Sequence, residues 1–152
     1  MPKVPEELTL PRNVARPGFL LLTRASLQAL DRAPEEEEAV RHVLDTMGKR
    51  SMVAQGLSKP ITSCSGMRCG DFRLYLSIGA GGAVRGLLKV GTKQLFVRRK
   101  PDAEYCQVSP LCVLDFYVHE GCQRGGVGAS LFEHMLGTQH RARAPHQQIP
   151  DI

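Results

Sequence analysis

Apolar and polar side chains alternate over residues 72–78, which is the pattern of a β-strand with one buried face. The apolar positions of this strand are Phe72, Leu74, Leu76 and Ile78. The glycine-rich segment Gly79–Ala83 follows and leads into a second apolar segment, Val84–Val90. Glycine-rich segments can also bind phosphate, but such phosphate-binding segments precede a helix. Here the segment precedes a predicted strand. The two segments are therefore predicted to form a β-hairpin.

Further apolar segments predict strands at Phe19–Thr23, Gln94–Val97 and Leu111–His119. For the first of these segments, a helix is the open alternative. Segment Leu111–His119 is apolar almost throughout, which is expected of a central strand that is buried on both faces.

Apolar residues recur at helical spacing over Pro34–Met52 and again over Val127–Gly137. Pro34 suits a first helical position, and the glutamates after it complement the positive end of the helix dipole. Gly48 is a position at which the first helix could end or loosen. The predicted buried faces consist of Val40, Val43, Leu44 and Met47 in the first helix and of Leu131, Phe132, Met135 and Leu136 in the second.

The chain of 152 residues suits a single domain. Prolines at positions 2, 5, 11 and 17 disfavour a helix at the N-terminus, so residues 1–17 are predicted to be a flexible arm. Residues 18–152 are predicted to form one α/β domain. No apolar stretch approaches the roughly 20 residues of a membrane span, and the N-terminus lacks the apolar stretch of a secretory signal. A protein without a membrane segment is therefore expected.

The net charge of +5 favours acidic partners, a class that includes nucleic acid, anionic membranes and acidic protein surfaces. Few aromatic residues and the absence of a recognised motif argue against nucleic acid. The basic cluster at Arg98, Arg99 and Lys100 is interpreted either as a solvated loop or as a docking surface for an acidic partner.

The odd number of five cysteines predicts free thiols in a reducing compartment. They are Cys64, Cys69, Cys106, Cys112 and Cys122. Their spacing does not match that of zinc ligands, so no metal is expected.

The segment Gln123–Gly128 carries the candidate chemistry, because it lies between a predicted buried strand and a predicted helix. A helix N-terminus offers unpaired N–H groups and a favourable dipole to an anion. Glycines allow the backbone to approach phosphates closely, and Arg124 can add charged hydrogen bonds. Glycines at such junctions are also common as simple turn residues. The surrounding hairpin, strand and helix favour a site for a pyrophosphate.

This segment resembles the pyrophosphate loop of the GNAT superfamily of N-acetyltransferases at Gln123, Gly126 and Gly128. Over roughly Leu44 to Leu136, the chain is similar to the alpha-tubulin N-acetyltransferase family. The similar segments, in order, are Leu57–Ser63, Gly86–Gly91, Lys93, Leu95–Val97 and Pro110–Glu120. The resemblance implies a GNAT-like mixed, mainly antiparallel sheet flanked by helices.

The resemblance also implies the function, which is transfer of an acetyl group from acetyl-CoA to a lysine of alpha-tubulin in microtubules. The expected location is the cytoplasm and cytoskeleton, with microtubules of cilia or flagella where present, and a monomer is expected. Two alternatives stay open. The chain could be a non-catalytic remnant that binds microtubules or acetyl-CoA, or an N-acetyltransferase for another amine substrate.

By resemblance, the catalytic residues are Gln55, Cys112 and Asp151; the last lies six residues after Pro145 of a Pro-His-Gln element. A carboxylate or thiol could accept the proton of the lysine, whereas an amide can only orient the substrate. The simpler interpretations are a surface residue for Gln55, a small core residue for Cys112 and a strand-end acceptor for Asp115. The implied cofactor-binding stretch comprises Phe116, Tyr117, Val118, His119, Glu120, Gly121, Cys122, Gln123, Arg124, Gly125, Gly126, Val127, Gly128 and Ala129.

GNAT domains place the cofactor where two parallel strands separate, and the second such strand would be His146–Ile152 here. This segment is polar for a central strand, and Pro150 removes one hydrogen-bond donor. The domain is therefore expected to lack the last strands of the fold. A weakly active or inactive chain is expected on that basis, because chain ends fray and Asp151 would be poorly held.

Overall fold

A computed structural model describes residues 8–98 and 105–142, with backbone alone at 95–98, 105–106 and 140–142. A four-stranded antiparallel sheet has the order β1-β2-β3-β6, and β4 and β5 form a separate hairpin. The strands are β1 (Gly18–Leu22), β2 (Phe72–Ile78), β3 (Val84–Thr92), β4 (Leu95–Arg98), β5 (Tyr105–Val108) and β6 (Leu111–Val118). The helices are α1 (Arg24–Ala29), α2 (Pro34–Gln55), α3 (Cys64–Arg68) and α4 (Val127–Ala142).

Helices cover both faces of the sheet, and each face has its own apolar cluster. The larger cluster joins one face to α1, α2 and α3 through residues such as Leu27, Leu44 and Met67. The smaller cluster joins the other face to α4 through Leu131 and Met135. The predicted α/β fold with helices flanking a mainly antiparallel sheet is thus confirmed. The predicted hairpin and the strand at Phe19–Thr23 are confirmed as well.

Two predictions about burial in the sheet are wrong. Strand β2 was predicted to bury one face, but Tyr75 and Ser77 on its other face are also buried, Tyr75 in the cluster with α4 and Ser77 beside Arg85. Strand β6 was predicted to be buried on both faces, yet the side chains of Val113 and Phe116 are exposed. Within the described residues β6 pairs only with β3, so it is an edge strand of the described sheet.

The segment from Leu8 to Ala15 corrects the prediction of a flexible arm over residues 1–17. Leu8, Leu10 and Ala15 are buried in the larger apolar cluster. The amide of Leu10 donates a hydrogen bond of 2.9 Å to the carbonyl oxygen of Gly82 in the β2–β3 turn. Prolines disfavour a long helix here but not a segment with a turn, which the amides of Val14 and Ala15 form by donating to the Pro11 carbonyl. Residues 1–7 lie outside the described part.

Helix α2 continues through Gly48, where the sequence allowed it to end or loosen. Gly48 is buried, and a Cβ added to it would overlap the carbonyl oxygen of Thr62. The helix ends instead at Gly56, which has the left-handed φ of 68°. The amide of Leu57 donates to the Met52 carbonyl and that of Gly56 to the Val53 carbonyl, which is a Schellman motif. Gln55 is therefore fixed in the last turn of α2.

Several predicted features lie outside the described residues. These are Arg99 and Lys100 of the basic cluster and the predicted strand His146–Ile152. No described helix is long and apolar enough to cross a lipid bilayer.

Candidate functional site

The connection between β6 and α4 forms a strand–loop–helix, as the sequence predicts. A short 3₁₀ turn, Glu120–Cys122, follows β6 and leads to the start of α4 at Val127. The side-chain amide of Gln123 donates a hydrogen bond of 3.1 Å to the carbonyl oxygen of Val118. The amide of Gly121 donates to Nδ1 of His119 at 3.1 Å. These bonds tie the loop to the end of β6.

The start of α4 fits an anion such as a pyrophosphate. Gly126 has a φ of 78°, which favours glycine, and a Cβ placed on it would meet no atom within 4 Å. The amide of Ser130 donates to the Gly126 carbonyl at 3.0 Å, which begins the helical hydrogen bonds. The amides of the first turn, at Val127, Gly128 and Ala129, are therefore not used by the helix itself. Arg124 is exposed in the same loop.

An apolar groove of about 640 Å³ lies between the start of β6 and the C-terminal half of α4. Cys112 is half-buried in its wall, and its thiol donates a weak hydrogen bond of 3.6 Å to the Pro110 carbonyl. The interpretation of Cys112 as a small core residue is therefore wrong. The lining residues are Val90, Pro110, Leu111, Cys112, Val113, Phe132, Met135, Leu136 and Gln139. Phe132 and Leu136, predicted on the buried face of α4, are exposed.

A buried carboxylate on β6 joins the sheet to α2. Asp115 is 3 % exposed and accepts hydrogen bonds from the hydroxyls of Ser51 (2.7 Å) and Thr62 (2.6 Å). A β-bulge precedes it, since Val113 pairs with Val90 and Asp115 with the next residue, Lys89. A bulge changes the face to which the following side chains point. Val113 is therefore exposed, whereas Asp115, two residues later, is buried.

Gln55 lies beside the carboxylate of Asp115, and its side chain is exposed. Its Nε2 donates to Oδ1 of Asp115 at 2.9 Å and to Oγ of Ser51 at 2.8 Å. Ser51 and Gln55 are four residues apart and so share one face of α2. Sequence reasoning selected Gln55 only through the family resemblance and treated Asp115 as a strand-end acceptor. A charged residue within the apolar stretch of β6 was the signal that could have found it.

The loop between α2 and α3 is held by a second buried charge. Nζ of Lys89 donates to the carbonyl oxygen of Ile61 at 2.8 Å and lies 4.2 Å from the ring centre of Phe72. Burial lowers the pKa of Lys89, and the negative charge of Asp115 opposes this shift. The loop that carries Thr62 is thereby fixed against both the sheet and α2.

At the other end of β6, the hydroxyl of Tyr117 donates to Oε2 of Glu120 at 2.6 Å. Burial and this hydrogen bond raise the pKa of Tyr117 above its ordinary value. The same bond lowers the pKa of Glu120. Tyr117 belongs to the core, so the predicted cofactor-binding stretch can use its backbone but not its ring.

Replacing Tyr117 by phenylalanine is expected to remove part of the alkaline loss of stability. The unfolded chain loses the phenol proton from about pH 10, while the folded protein retains it. Stability therefore falls as pH rises beyond that value, by up to about 1.4 kcal/mol per pH unit. Urea denaturation of both proteins between pH 8 and 11 measures the difference. Parallel pH profiles for the wild type and Tyr117→Phe would contradict it.

The structure brings Gln55 to the middle of β6, on which Cys112 also lies. Asp151 is outside the described residues, so its role stays a prediction. Among the residues with described side chains, no group of three or more His, Cys, Asp or Glu could hold a metal ion.

Comparisons with known proteins identify the family of the chain. Three relatives share the description "Alpha-tubulin N-acetyltransferase". That of Tetrahymena thermophila is 46% identical over 102 residues, covering 67% of this chain and 25% of the relative. That of Anopheles gambiae is 44% identical over 126 residues, covering 81% and 25%, respectively. That of Leishmania braziliensis is 38% identical over 152 residues, covering 93% and 62%.

The chain thus spans between 25% and 62% of the length of these relatives. The sequence profile described as "GNAT acetyltransferase, Mec-17" matches residues 13–149, which is most of the chain. This match begins within the segment that packs on the β2–β3 turn and includes the loop at Gly126, the groove and the cluster around Asp115. The chain therefore belongs to the Mec-17 family of GNAT acetyltransferases.

Proposed function

We propose that this chain is an acetyl-CoA-dependent N-acetyltransferase whose substrate is a lysine of alpha-tubulin in microtubules. Membership of the family and the names of the relatives support this proposal. The structural observation that carries it is the open helix start at Gly126, which β6 connects to the apolar groove. Microtubules, including those of cilia or flagella where present, are the proposed location.

The proposed binding mode assigns acetyl-CoA to the stretch from Phe116 to Ala129 and to the groove. The free amides at the start of α4 suit the pyrophosphate, and Arg124 adds a positive charge. The apolar groove beside Cys112 suits the uncharged arm of the cofactor. When bound, acetyl-CoA supplies the acetyl group for transfer.

The proposed roles of the side chains follow from their chemistry. A lysine amine is charged at neutral pH and has to lose a proton before it can attack. Cys112 and Asp151 are the candidate proton acceptors, and Gln55 orients the lysine. Asp115 is not assigned as the base, because it is buried and accepts hydrogen bonds from Ser51, Thr62 and Gln55.

Acetylation of assembled microtubules, detected by mass spectrometry, tests the proposal. The 152-residue chain and a version extended with the C-terminal segment of the Leishmania braziliensis relative are compared. Acetylation of an alpha-tubulin lysine by either protein, lost on Gln55→Ala, is the expected result. Activity in neither protein contradicts the proposal. In that case, acetyl-CoA binding without transfer favours a non-catalytic binding protein, and transfer to other amines favours a different substrate.

A further inference from the structure

The amide of Gln55 has only one group left for a ligand. An amide nitrogen carries two hydrogens, and here one is donated to Ser51 and the other to Asp115. The side chain is nevertheless exposed at the end of α2. Its carbonyl oxygen, Oε1, is therefore the part of Gln55 that can bind another molecule.

The neighbours of Gln55 fix which end of its amide points inward. The hydroxyl hydrogen of Ser51 is donated to Asp115, so the Ser51 oxygen can only accept from Gln55. An ionised carboxylate has no hydrogen to donate, so Asp115 can only accept as well. A reversed amide would place Oε1 against both acceptors and leave two hydrogen bonds unmade. The inward position of Nε2 follows from the chemistry of these neighbours.

Asp115 is itself held rigidly on its other side. Its second carboxylate oxygen accepts from Thr62, which is 0 % exposed. The backbone of Thr62 packs directly on Gly48 of α2, and the positive charge of Lys89 offsets the buried negative charge. The carboxylate is thus anchored to β6, to the loop and to α2, and it transmits this rigidity to an exposed amide.

We propose that Asp115 is a positioning residue that holds the Gln55 amide with Oε1 outward, as a hydrogen-bond acceptor for an N–H donor of the substrate. The inference rests on the proposed function, in which that donor belongs to the lysine or to its backbone. A neutral carbonyl oxygen can accept a hydrogen bond from an amine without taking its proton. Gln55 then orients the nucleophile, while a different group accepts the proton.

Exchanging the amide and acid groups of positions 55 and 115 tests whether Gln55 presents an acceptor oxygen to the substrate. Gln55→Glu places two carboxylates at the present 2.9 Å contact and is expected to lower kcat/KM by about 10- to 100-fold. Adding Asp115→Asn reverses the three hydrogen bonds among residues 51, 55 and 115 and keeps the one from Thr62. The Asn amide then donates to Ser51 and to the new Glu, and Ser51 donates to that Glu, while the Asn oxygen still accepts from Thr62. An acceptor oxygen again faces outward, and at least about tenfold recovery is expected.

A matched control distinguishes a specific loss of activity from a loss that is caused by lower stability. Ser77→Ala removes another buried hydroxyl, which accepts from Arg85 at 3.0 Å on the same sheet. Each variant is measured by urea denaturation, acetyl-CoA titration and kcat/KM on microtubules. Unchanged kcat/KM in Ser77→Ala with recovery in the double variant supports the proposal. A double variant no more active than Gln55→Glu overturns it, because Gln55 would then act as a donor.

A measurement without turnover separates this inference from the proposed function. Nuclear magnetic resonance of the side-chain amide of Gln55 reports whether both its hydrogens are hydrogen-bonded. Slow exchange of both hydrogens in the wild type, lost in Asp115→Ala or in the milder Ser51→Ala, supports the positioning role. Rapid exchange in the folded wild type overturns it. A wild type that acetylates no tubulin contradicts the proposed function, and the amide measurement then decides this inference.

Discussion

Replacing Gly48 by alanine is expected to lower the free energy of unfolding by about 3 kcal/mol or more. In an exposed helix the same change would stabilise the protein by up to about 1 kcal/mol, because alanine is the better helix former. Here the added methyl group would overlap the carbonyl oxygen of Thr62, a backbone atom that cannot turn aside. Urea or thermal denaturation measures the effect.

The neighbouring position gives the control for Gly48→Ala. Lys49 is exposed on the same helix, and its replacement by alanine is expected to change stability by no more than about 0.5 kcal/mol. Displacement of Thr62 also disturbs the bond to Asp115, so the slow exchange of the Gln55 amide should be lost in Gly48→Ala. Equal stability of Gly48→Ala and the wild type would show that α2 and the loop do not pack as described.

Replacing Gly126 by alanine is expected to weaken the binding of acetyl-CoA by about tenfold or more, equivalent to about 1.4 kcal/mol. The cost to stability should be smaller, about 1 kcal/mol, and comes from the φ of 78° at this position. The added Cβ meets no protein atom within 4 Å, and it lies in the loop to which we assign the pyrophosphate, so it would limit the approach of that group. Calorimetric titration measures the affinity.

Gly81 provides a closely matched control for this glycine. It has a φ of 73°, and its added Cβ also meets no atom within 4 Å, but it lies in the β2–β3 turn. Gly81→Ala and Gly126→Ala should therefore lose similar stability, and only the second should lose affinity. An undiminished affinity in Gly126→Ala would reject the assignment of the loop, whereas equal losses in both variants would indicate a general effect of unfolding.

Local periodicity was sufficient for the main helices and strands. Helices α2 and α4 and the β2–β3 hairpin follow from spacings between residues close in sequence, which the chain carries whatever packs on them. The position of the glycine loop between a strand and a helix was likewise readable from consecutive residues. The burial of side chains could not be predicted in this way, because Tyr75 becomes buried only when α4, far along the chain, covers it.

The candidate site shows the same division. The sequence alone indicated a candidate anion-binding loop, and resemblance selected Gln55 and Cys112, but neither could reveal the polar cluster around Asp115. The three hydrogen bonds to Asp115 join residues separated by 64, 60 and 53 positions. The bulge before Asp115 also breaks the strict alternation on which strand predictions depend, so exposed Val113 and buried Asp115 cannot be ordered by pattern.

The sequence by itself thus determined the main elements and the family resemblance and predicted the chemistry of the loop, since these depend on residue types at short spacing. The tertiary structure decided that Gly48 packs on Thr62 and does not end the helix. It also decided that apolar residues of Leu8–Ala15 belong to the core and that Oε1 of Gln55 faces outward. Each of these depends on atoms brought together by packing between distant segments. A linear pattern contains the residues for such contacts but not the distances between them.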